Sequence, residues 1–325
     1  MKGLSGKNIG QFYNKLGIII ILAVIIVASS LANDNFLSSG NITNILKQIA
    51  VVAILALGAT YIIILGHINV SYGSAIALVG SVACQVNVAT GSLLVSIIAA
   101  LALGGAMGAV NGFVITHFRI PAFIMTLATT TVARGAVLLV TGGIPVTGMS
   151  PSFLYIGQGM LFKDLAVPIP ISVIILIVLS IISWLILSKT KFGRHIYAVG
   201  GNENAAIASG IDTKAVTRKA FILDGLFIAI AGILFVSRMN SGQPGAGVGY
   251  EFSAITAVIV GGTSLAGGVG TIPGTVVGAL IVGIINNIQT LMGVHTYWQQ
   301  IVQGAIILLA VIIDIVSKQA AAKKK

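Results

Sequence analysis

The sequence predicts an all-α integral membrane protein, and three observations lead to that class. Of its 325 residues, 57% are hydrophobic and only 8% are charged, whereas a soluble domain carries charge on about a quarter of its residues. The mean hydropathy is +1.06. Apolar runs of about 20 residues, the length that crosses a bilayer as a helix, recur along the chain. So few charges cannot cover a water-facing surface, which excludes a soluble globular fold.

About ten transmembrane helices are predicted within one membrane domain, residues 1–325. The first follows Lys15, and its small-residue end also fits a secretory signal peptide. Its length and the spans that follow favour a retained helix. In chain order the predicted spans are 16–32, 48–65, 73–90, 92–115, 121–141, 169–188, 220–237, 252–267, 272–291 and 299–317.

The basic residues predict how these spans are oriented. An even number of spans puts both termini on one side of the membrane, and Lys and Arg are enriched in cytoplasmic loops. The net charge of +11 is therefore interpreted as the positive-inside bias, with both termini cytoplasmic, and not as a nucleic-acid surface. One side holds Lys2, Lys7, Lys15, Arg119, Lys189, Lys191, Arg194, Lys214, Arg218, Lys219, Lys318, Lys323, Lys324 and Lys325; the other holds Lys47, Lys163 and Arg238.

Some glycines form seams along the predicted helices. Gly104, Gly108 and Gly112 recur at every fourth position and share one helix face, as do Gly274 and Gly278. Small residues at this spacing let two helix backbones approach closely in a membrane. Packing within the chain is the simpler interpretation of these seams, and a subunit interface is the alternative.

Two glycine-containing segments interrupt the apolar pattern. They are Gly66–Ser74 (GHINVSYGS) and Gly261–Gly268 (GGTSLAGG), and aligned on their first glycines they share two glycines, a weak internal repeat. Non-helical backbone is tolerated in a membrane only where protein or water covers it. Paired broken helices in two halves of a chain indicate a transport path. We therefore expect these two segments to line such a path.

The longest loop on the predicted cytoplasmic side, residues 189–219, contains a short helix by its sequence. Asn202 is a suitable N-cap, Glu203 suits the first turn, and Gly210 can close the helix. A solvated connector is the alternative interpretation. A basic cytoplasmic tail is predicted at residues 318–325.

This loop carries a resemblance to a known family. The run from Glu203 through Asn204, Ala205 and Ala206, followed by Gly210, resembles the EAA…G loop by which ABC importer permeases dock their ATPases. The stretch from Gly193 to Glu203 resembles the ribose/galactose branch of the branched-chain amino acid/sugar permease superfamily. So do Gly66–Ser74, where that branch has G-x-I-D-L-S-V-G-S, and Gly261–Gly268. The similarity runs from about residue 41 to 315 and implies that the ATPase-coupling residues are Gly193, Arg194, Glu203, Asn204, Ala205, Ala206 and Gly210.

The resemblance also implies partners and a location. It implies a permease subunit of the bacterial plasma membrane that forms a homodimer, binds two cytoplasmic ATPase subunits and receives a monosaccharide from an extracytoplasmic binding protein. Asn69 departs from the pattern, since the branch has Asp there, which leaves the sugar and the role of this position open. Residues 3–8 lack the length and the Ser/Thr of a phosphate-binding loop, so ATP hydrolysis is assigned to another chain.

Uncharged polar side chains in or beside the spans are the candidates for the substrate path, because neutral sugars are recognised by hydrogen bonds and stacking. Such groups usually face the interior of a helix bundle. Hydrogen bonding between helices is the alternative role. The candidates are Asn69, Ser71, Tyr72, Asn111, Asn286 and Asn287.

Three charged residues near spans receive separate expectations. Arg134 lies about 20 Å along its helix from Pro121, with no partner evident in the sequence. Asp224 is expected to pair locally with Arg218 or Lys219. Asp314 and Lys318 have the i,i+4 spacing of a helix pair.

Other functions find less support in the sequence. The four histidines show no metal-ligand spacing, the single Cys84 cannot form an intrachain disulfide, and neither a cofactor nor an enzyme is expected. An ion-coupled secondary transporter stays open, although it normally needs acidic or histidine residues near the midplane. A permease of the same superfamily for nucleosides or branched-chain amino acids is the other alternative.

Overall fold

The computed structural model describes residues 6–162 and 167–322. Within them the chain forms thirteen helices and one short hairpin. The helices are α1 (Gly6–Ala32), α2 (Ser39–Ile64), α3 (Tyr72–Thr90), α4 (Leu93–Phe118), α5 (Ala122–Thr141), α6 (Pro151–Gln158), α7 (Ile171–Lys189), α8 (Lys191–Gly201), α9 (Glu203–Ala208), α10 (Thr213–Met239), α11 (Tyr250–Val260), α12 (Ile272–Leu291) and α13 (Thr296–Ala322). Strands β1 (Met160–Leu161) and β2 (Ile169–Pro170) pair antiparallel before α7.

A helix lies at each of the ten predicted spans, which confirms the all-α membrane class. Among the described residues, α2, α3, α4, α5, α7, α10 and α12 are long and apolar enough to cross a membrane. The apolar parts of α1, α11 and α13 are shorter. The predicted span 252–267 is wrong at its end, because α11 stops at Val260. Its 11 residues rise about 16 Å, roughly half of a hydrocarbon core.

Polar side chains fix where many of these helices begin. A serine, threonine, asparagine or aspartate precedes the helix, and its side-chain oxygen accepts a hydrogen bond from the backbone amide three residues later. This satisfies one of the amides that a helix start leaves without an intrahelical partner. The capping residues include Ser38 before α2, Ser92 before α4, Thr190 before α8, Asn202 before α9, Asp212 before α10 and Thr271 before α12.

Helices α2 and α10 form the centre of the bundle. In the most apolar window of each helix, 89% of α2 and 78% of α10 are buried, against 17% of α5 and 22% of both α4 and α7. The outer helices therefore present most of their surface to lipid or to another chain. A helix that is apolar all round belongs in the interior of a bundle, which suits α2.

The two ends of the chain repeat one pattern of helix contacts. Helix α3 packs on α4 and α5, as α11 packs on α12 and α13. Helix α4 packs on α10, and correspondingly α12 packs on α2. The repeat thus relates α2–α5 to α10–α13, and residues 65–71 to the segment 240–249. The predicted repeat register is therefore wrong: Gly261–Gly268 follows α11, whereas Gly66–Ser74 precedes and begins α3.

The glycine seams are used inside the chain. A methyl group on Gly104 would collide with the backbone of Gly225, and one on Gly108 with the backbone of Phe221, both in α10. Gly278 lies in the same way against Ala257 of α11. These close contacts confirm the simpler interpretation, internal packing of helices through small residues.

The described basic residues collect at two opposite faces of the bundle. At one face, called here the α9 face, lie Arg119 at the end of α4, the loop residues from Lys189 to Lys219 and the start of α10. At the other, called the α6 face, the Lys47 ammonium donates to the Gln158 carbonyl at 3.1 Å. Lys2, Lys163 and Lys323 to Lys325 lie outside the described residues, as do the side chains of Lys7, Lys15, Asp314 and Lys318.

Candidate functional site

The predicted short helix exists and projects from the α9 face. Asn202 caps it by accepting from the Ala205 amide at 3.0 Å, and Gly210 follows it with a φ of +78°. Only Ala206 of this helix is buried. Among the proposed coupling residues, Arg194, Glu203, Asn204, Ala205 and Gly210 are exposed. The α9 helix therefore offers a surface that the bundle itself leaves uncovered.

Helix α8 connects this surface to the bundle. Gly193, Ile196 and Val199 form its buried face. The Tyr197 hydroxyl donates to the carbonyl of Gly270 at 2.7 Å. A side chain at Gly200 would collide with the Ile64 carbonyl. Because Ile64 ends α2 and Gly270 precedes α12, α8 contacts both regions where the apolar pattern is broken.

The two glycine-broken segments meet directly beneath α8. The Gly268 amide donates to the Ile64 carbonyl at 2.8 Å, so the second segment bonds to the last residue of α2. Gly267 and Gly268 have φ values of +83° and +72°, which strongly favour glycine. The segments were expected together at a transport path, and the structure brings them into contact.

The first broken segment contains a buried polar cluster. Asn69 is 2% exposed, and its Nδ2 donates to Oδ2 of Asp224 at 2.7 Å. The Tyr72 hydroxyl donates to Oδ1 of the same carboxylate at 3.0 Å. The Ser71 hydroxyl donates to Oδ1 of Asn69 at 2.7 Å. Two of the path candidates thus bind one acidic residue, and Ser71 binds one of those two.

Asp224 does not make the local pair expected from the sequence. It lies about 16 Å along α10 from Thr213, is 1% exposed and bonds to Asn69 and Tyr72. The expectation of Arg218 or Lys219 is wrong because residues five and six apart on a helix do not share a face. Arg218 instead donates through Nε to the Thr116 hydroxyl at 2.7 Å.

The remaining path candidates lie in other parts of the bundle. Asn111 is buried and accepts from the Thr129 hydroxyl at 2.6 Å. Asn287 exchanges two hydrogen bonds with Asn41, at 3.1 and 2.9 Å, which join α12 to α2. Asn286 is half-buried. In this conformation Asn111 and Asn287 bond other helices, so the six candidates do not form one group.

Helix α5 binds the first broken segment through residues whose role the sequence did not reveal. The Thr126 hydroxyl accepts from the Val70 amide at 3.2 Å, and the Thr130 hydroxyl donates to the Val70 carbonyl at 3.0 Å. Arg134 follows at the same four-residue spacing. Residues four apart share one helix face, so this regular spacing is the signal that identifies the three as a polar ridge.

Arg134 binds the segment between α10 and α11. One guanidinium nitrogen donates to the carbonyls of Pro244 and Ala246, the latter at 2.9 Å. Glu251, at the start of α11, attracts the same guanidinium. From the other side, Gln303 of α13 donates to the Gly249 carbonyl at 3.3 Å. Arg134 therefore has partners, and its polar ridge ties α5 to both segments that precede α3 and α11.

Comparisons with known proteins agree with this architecture. The family described as branched-chain amino acid transport system, permease component, matches residues 41–311. The ribose import permease protein of Escherichia coli K12 is 43% identical over 297 residues, 91% of this chain and 92% of that protein. The ribose import permease of Bacillus subtilis is 40% identical over 92% of each chain. The D-allose transport system permease of Escherichia coli K12 is 36% identical over 94% of this chain and 93% of that protein.

No solved structure matches the chain. The family match nevertheless covers most of the described bundle, from α2 to α13, and includes the α8–α9 region and both glycine-broken segments. Permease components of this family are transporters and not enzymes. The chain therefore belongs to the family of membrane permease components of the branched-chain amino acid transport system type, together with the ribose import permeases.

Proposed function

We propose that this chain is the transmembrane subunit of an ABC importer that carries a monosaccharide across the bacterial inner membrane, driven by a separate ATPase. The observation that carries the proposal is the exposed α9 helix, held by α8 against both broken segments. A partner that moves α9 moves α8, and Gly200 and Tyr197 pass that movement to the ends of α2 and α12. The similarity to ribose, allose, xylose and arabinose permeases supports a sugar substrate.

The proposed orientation places the α9 face in the cytoplasm. The basic residues described at this face, from Arg119 to Lys219, outnumber Lys47 and Arg238 at the α6 face. This asymmetry supports cytoplasmic termini and a cytoplasmic coupling loop at residues 189–219. A binding protein would then deliver the sugar to the α6 face.

The proposed assembly contains two copies of the chain. Helix α5 is only 17% buried, although its half-buried Arg134 and exposed Thr131 lie within a membrane span. A charged side chain inside a membrane faces protein or a water-filled cavity and not lipid. A second copy beside α5 would enclose such a cavity. The six polar candidates are proposed to line the substrate path or to position the helices around it: Asn69, Ser71, Tyr72, Asn111, Asn286 and Asn287.

The test is reconstituted uptake. The chain is co-expressed with a candidate ABC ATPase and a candidate sugar-binding protein, and uptake of labelled ribose, allose, xylose and arabinose into proteoliposomes is measured with and without ATP. ATP-dependent uptake of one sugar is expected. Labelled leucine and a nucleoside are assayed in parallel, because the family also includes the branched-chain amino acid type. Uptake of leucine alone, or sugar uptake that needs an ion gradient but no ATPase, would contradict the proposal.

A further inference from the structure

Asp224 is a buried carboxylate without a cationic partner among the described residues. Both of its oxygens accept hydrogen bonds, from Asn69 at 2.7 Å and from the Tyr72 hydroxyl at 3.0 Å. Behind it, Gly58 of α2 leaves no room for even a methyl group beside Oδ1. A carboxylate in this environment depends on its two donors, because removing a charge from water is costly unless hydrogen bonds compensate.

Asn69 can present only its amide nitrogen to Asp224. Its Oδ1 already accepts from the Ser71 amide at 2.9 Å and from the Ser71 hydroxyl at 2.7 Å. These two bonds fix the side chain, so Nδ2 points to the carboxylate. The amide orientation therefore follows from the hydrogen-bond network.

The position of Asn69 beside Asp224 decides what an acid there would do. An aspartate at this position would keep the two bonds from Ser71 through one oxygen. Its second oxygen would then stand where Nδ2 stands, 2.7 Å from Oδ2 of Asp224. Two carboxylates at this distance cannot both be ionised. An ionised acid at position 69 and an ionised acid at position 224 therefore exclude each other.

We propose that positions 69 and 224 form one unit, which holds a single ionised carboxylate between α10 and the first broken segment. The unit ties the segment before α3 to α10, so Asn69 and Asp224 are positioning residues of the path. It connects that segment to the coupling loop, since α10 begins at Thr213, five residues after α9 ends at Ala208. This last step rests on the proposed function.

A charge-swap cycle tests the unit. N69D places two acids together, D224N leaves two amides that can still bond, and the N69D/D224N double variant reverses donor and acceptor. In the double variant the new amide on α10 donates to the new carboxylate in the broken segment and accepts from Tyr72, so every bond has a partner. Each variant is assayed for thermal stability of the purified permease and for sugar imported per ATP hydrolysed in the reconstituted complex.

We expect N69D to lower the ratio of sugar to ATP by about tenfold or more, with a lower Tm, because a buried like-charge contact is strongly unfavourable. The double variant should return to within about threefold of the wild type, since opposite changes at two contacting sites are not additive. D224N should fold and stay close to the wild type in Tm.

Three results overturn the proposal. They are wild-type behaviour of N69D, a double variant no better than N69D, and recovery of the Tm without recovery of the sugar-to-ATP ratio. If N69D does not fold, recovery of folding in the double variant supports the contact between positions 69 and 224. The sugar-to-ATP ratio of the double variant then decides whether that contact is linked to transport. If the wild-type complex imports no sugar, the proposed function fails, while the Tm cycle still decides whether positions 69 and 224 form a unit.

Discussion

The Gly268 amide donates to the Ile64 carbonyl at 2.8 Å, and this bond joins the end of α2 to the segment that follows α11. Gly200 of α8 lies against both partners, and the short helix α9 begins after Asn202. The region where an ATPase is proposed to dock is thus one short helix away from the junction of the two glycine-broken segments. Movement of the docking surface can therefore reach this junction through a single rigid element.

Replacing Gly200 by alanine should uncouple ATP hydrolysis from uptake. Its methyl group would collide with the Ile64 carbonyl and lie 2.9 Å from the Gly268 nitrogen, both of them backbone atoms that cannot rotate away. The measurement is uptake and ATPase activity of the reconstituted complex. Gly201→Ala is the matched control, because nothing lies within 4 Å of an added Cβ there. Equal uptake by the two variants would contradict a role for this junction.

The bundle was predictable from the sequence because its signals are local. A span requires about 20 apolar residues, and a helix start requires a capping side chain, so α10 and the Asn202 cap of α9 follow from short stretches. The seam at Gly104 follows from four-residue spacing. The two glycines shared by the broken segments predicted the wrong alignment of the internal repeat. The second segment follows α11 and packs beneath α8, whereas the first precedes α3.

The polar cluster was not predictable, because it depends on long-range contacts. Asn69 and Asp224 are 155 residues apart in the chain and meet only when α10 packs beside α2 and α3. Arg218 and Lys219 are the nearest basic residues in sequence and suggested a local pair, but on α10 they lie on a different helix face from Asp224. The Arg134 partners were hidden for another reason: they are backbone carbonyls, which no residue type identifies.

Replacing Ile207 by serine should weaken ATPase binding without destabilising the bundle. Ile207 is 55% exposed on α9, so it contributes little to packing and is available to a partner. Burial of such a side chain in an interface contributes about 1.5–3 kcal/mol, so we expect affinity to fall by about tenfold or more. Titration of the detergent-solubilised permease with the ATPase measures it. Leu37→Ser, which alters a 59% exposed leucine near the α6 face, is the control and should bind normally.

Replacing Gly108 by alanine should destabilise the permease by about 1–3 kcal/mol, the usual cost of overpacking. The added methyl group would push into the backbone of Phe221 and separate α4 from α10. Thermal unfolding in detergent measures the loss. Gly105→Ala changes a nearby residue, where the added Cβ would meet only Leu226 at an ordinary 3.5 Å. A Gly108→Ala variant as stable as Gly105→Ala would mean that this seam tolerates a wider helix separation.

Replacing Arg134 by lysine should loosen the segment 240–249 while keeping the positive charge. One nitrogen of the planar, pre-organised guanidinium donates to the carbonyls of both Pro244 and Ala246, whereas a lysine ammonium sits on a flexible stem and is not fixed in that position. A hydrogen bond from a charged group contributes about 1.5–3 kcal/mol. Amide hydrogen exchange of residues 240–249 should therefore quicken by about tenfold, since each 1.4 kcal/mol is about tenfold in an equilibrium.

Thr131→Val provides the comparison for Arg134→Lys. Thr131 lies three residues earlier on α5, and its hydroxyl donates to Leu127 in its own helix. Exchange in 240–249 should stay unchanged in this variant. Gln303 of α13 still holds Gly249 when Arg134 is altered, so the faster exchange should be strongest at the Pro244 side of the segment. Exchange no faster than in the wild type would show that Gln303 and the close contact between Gly73 and Gly247 hold the segment without Arg134.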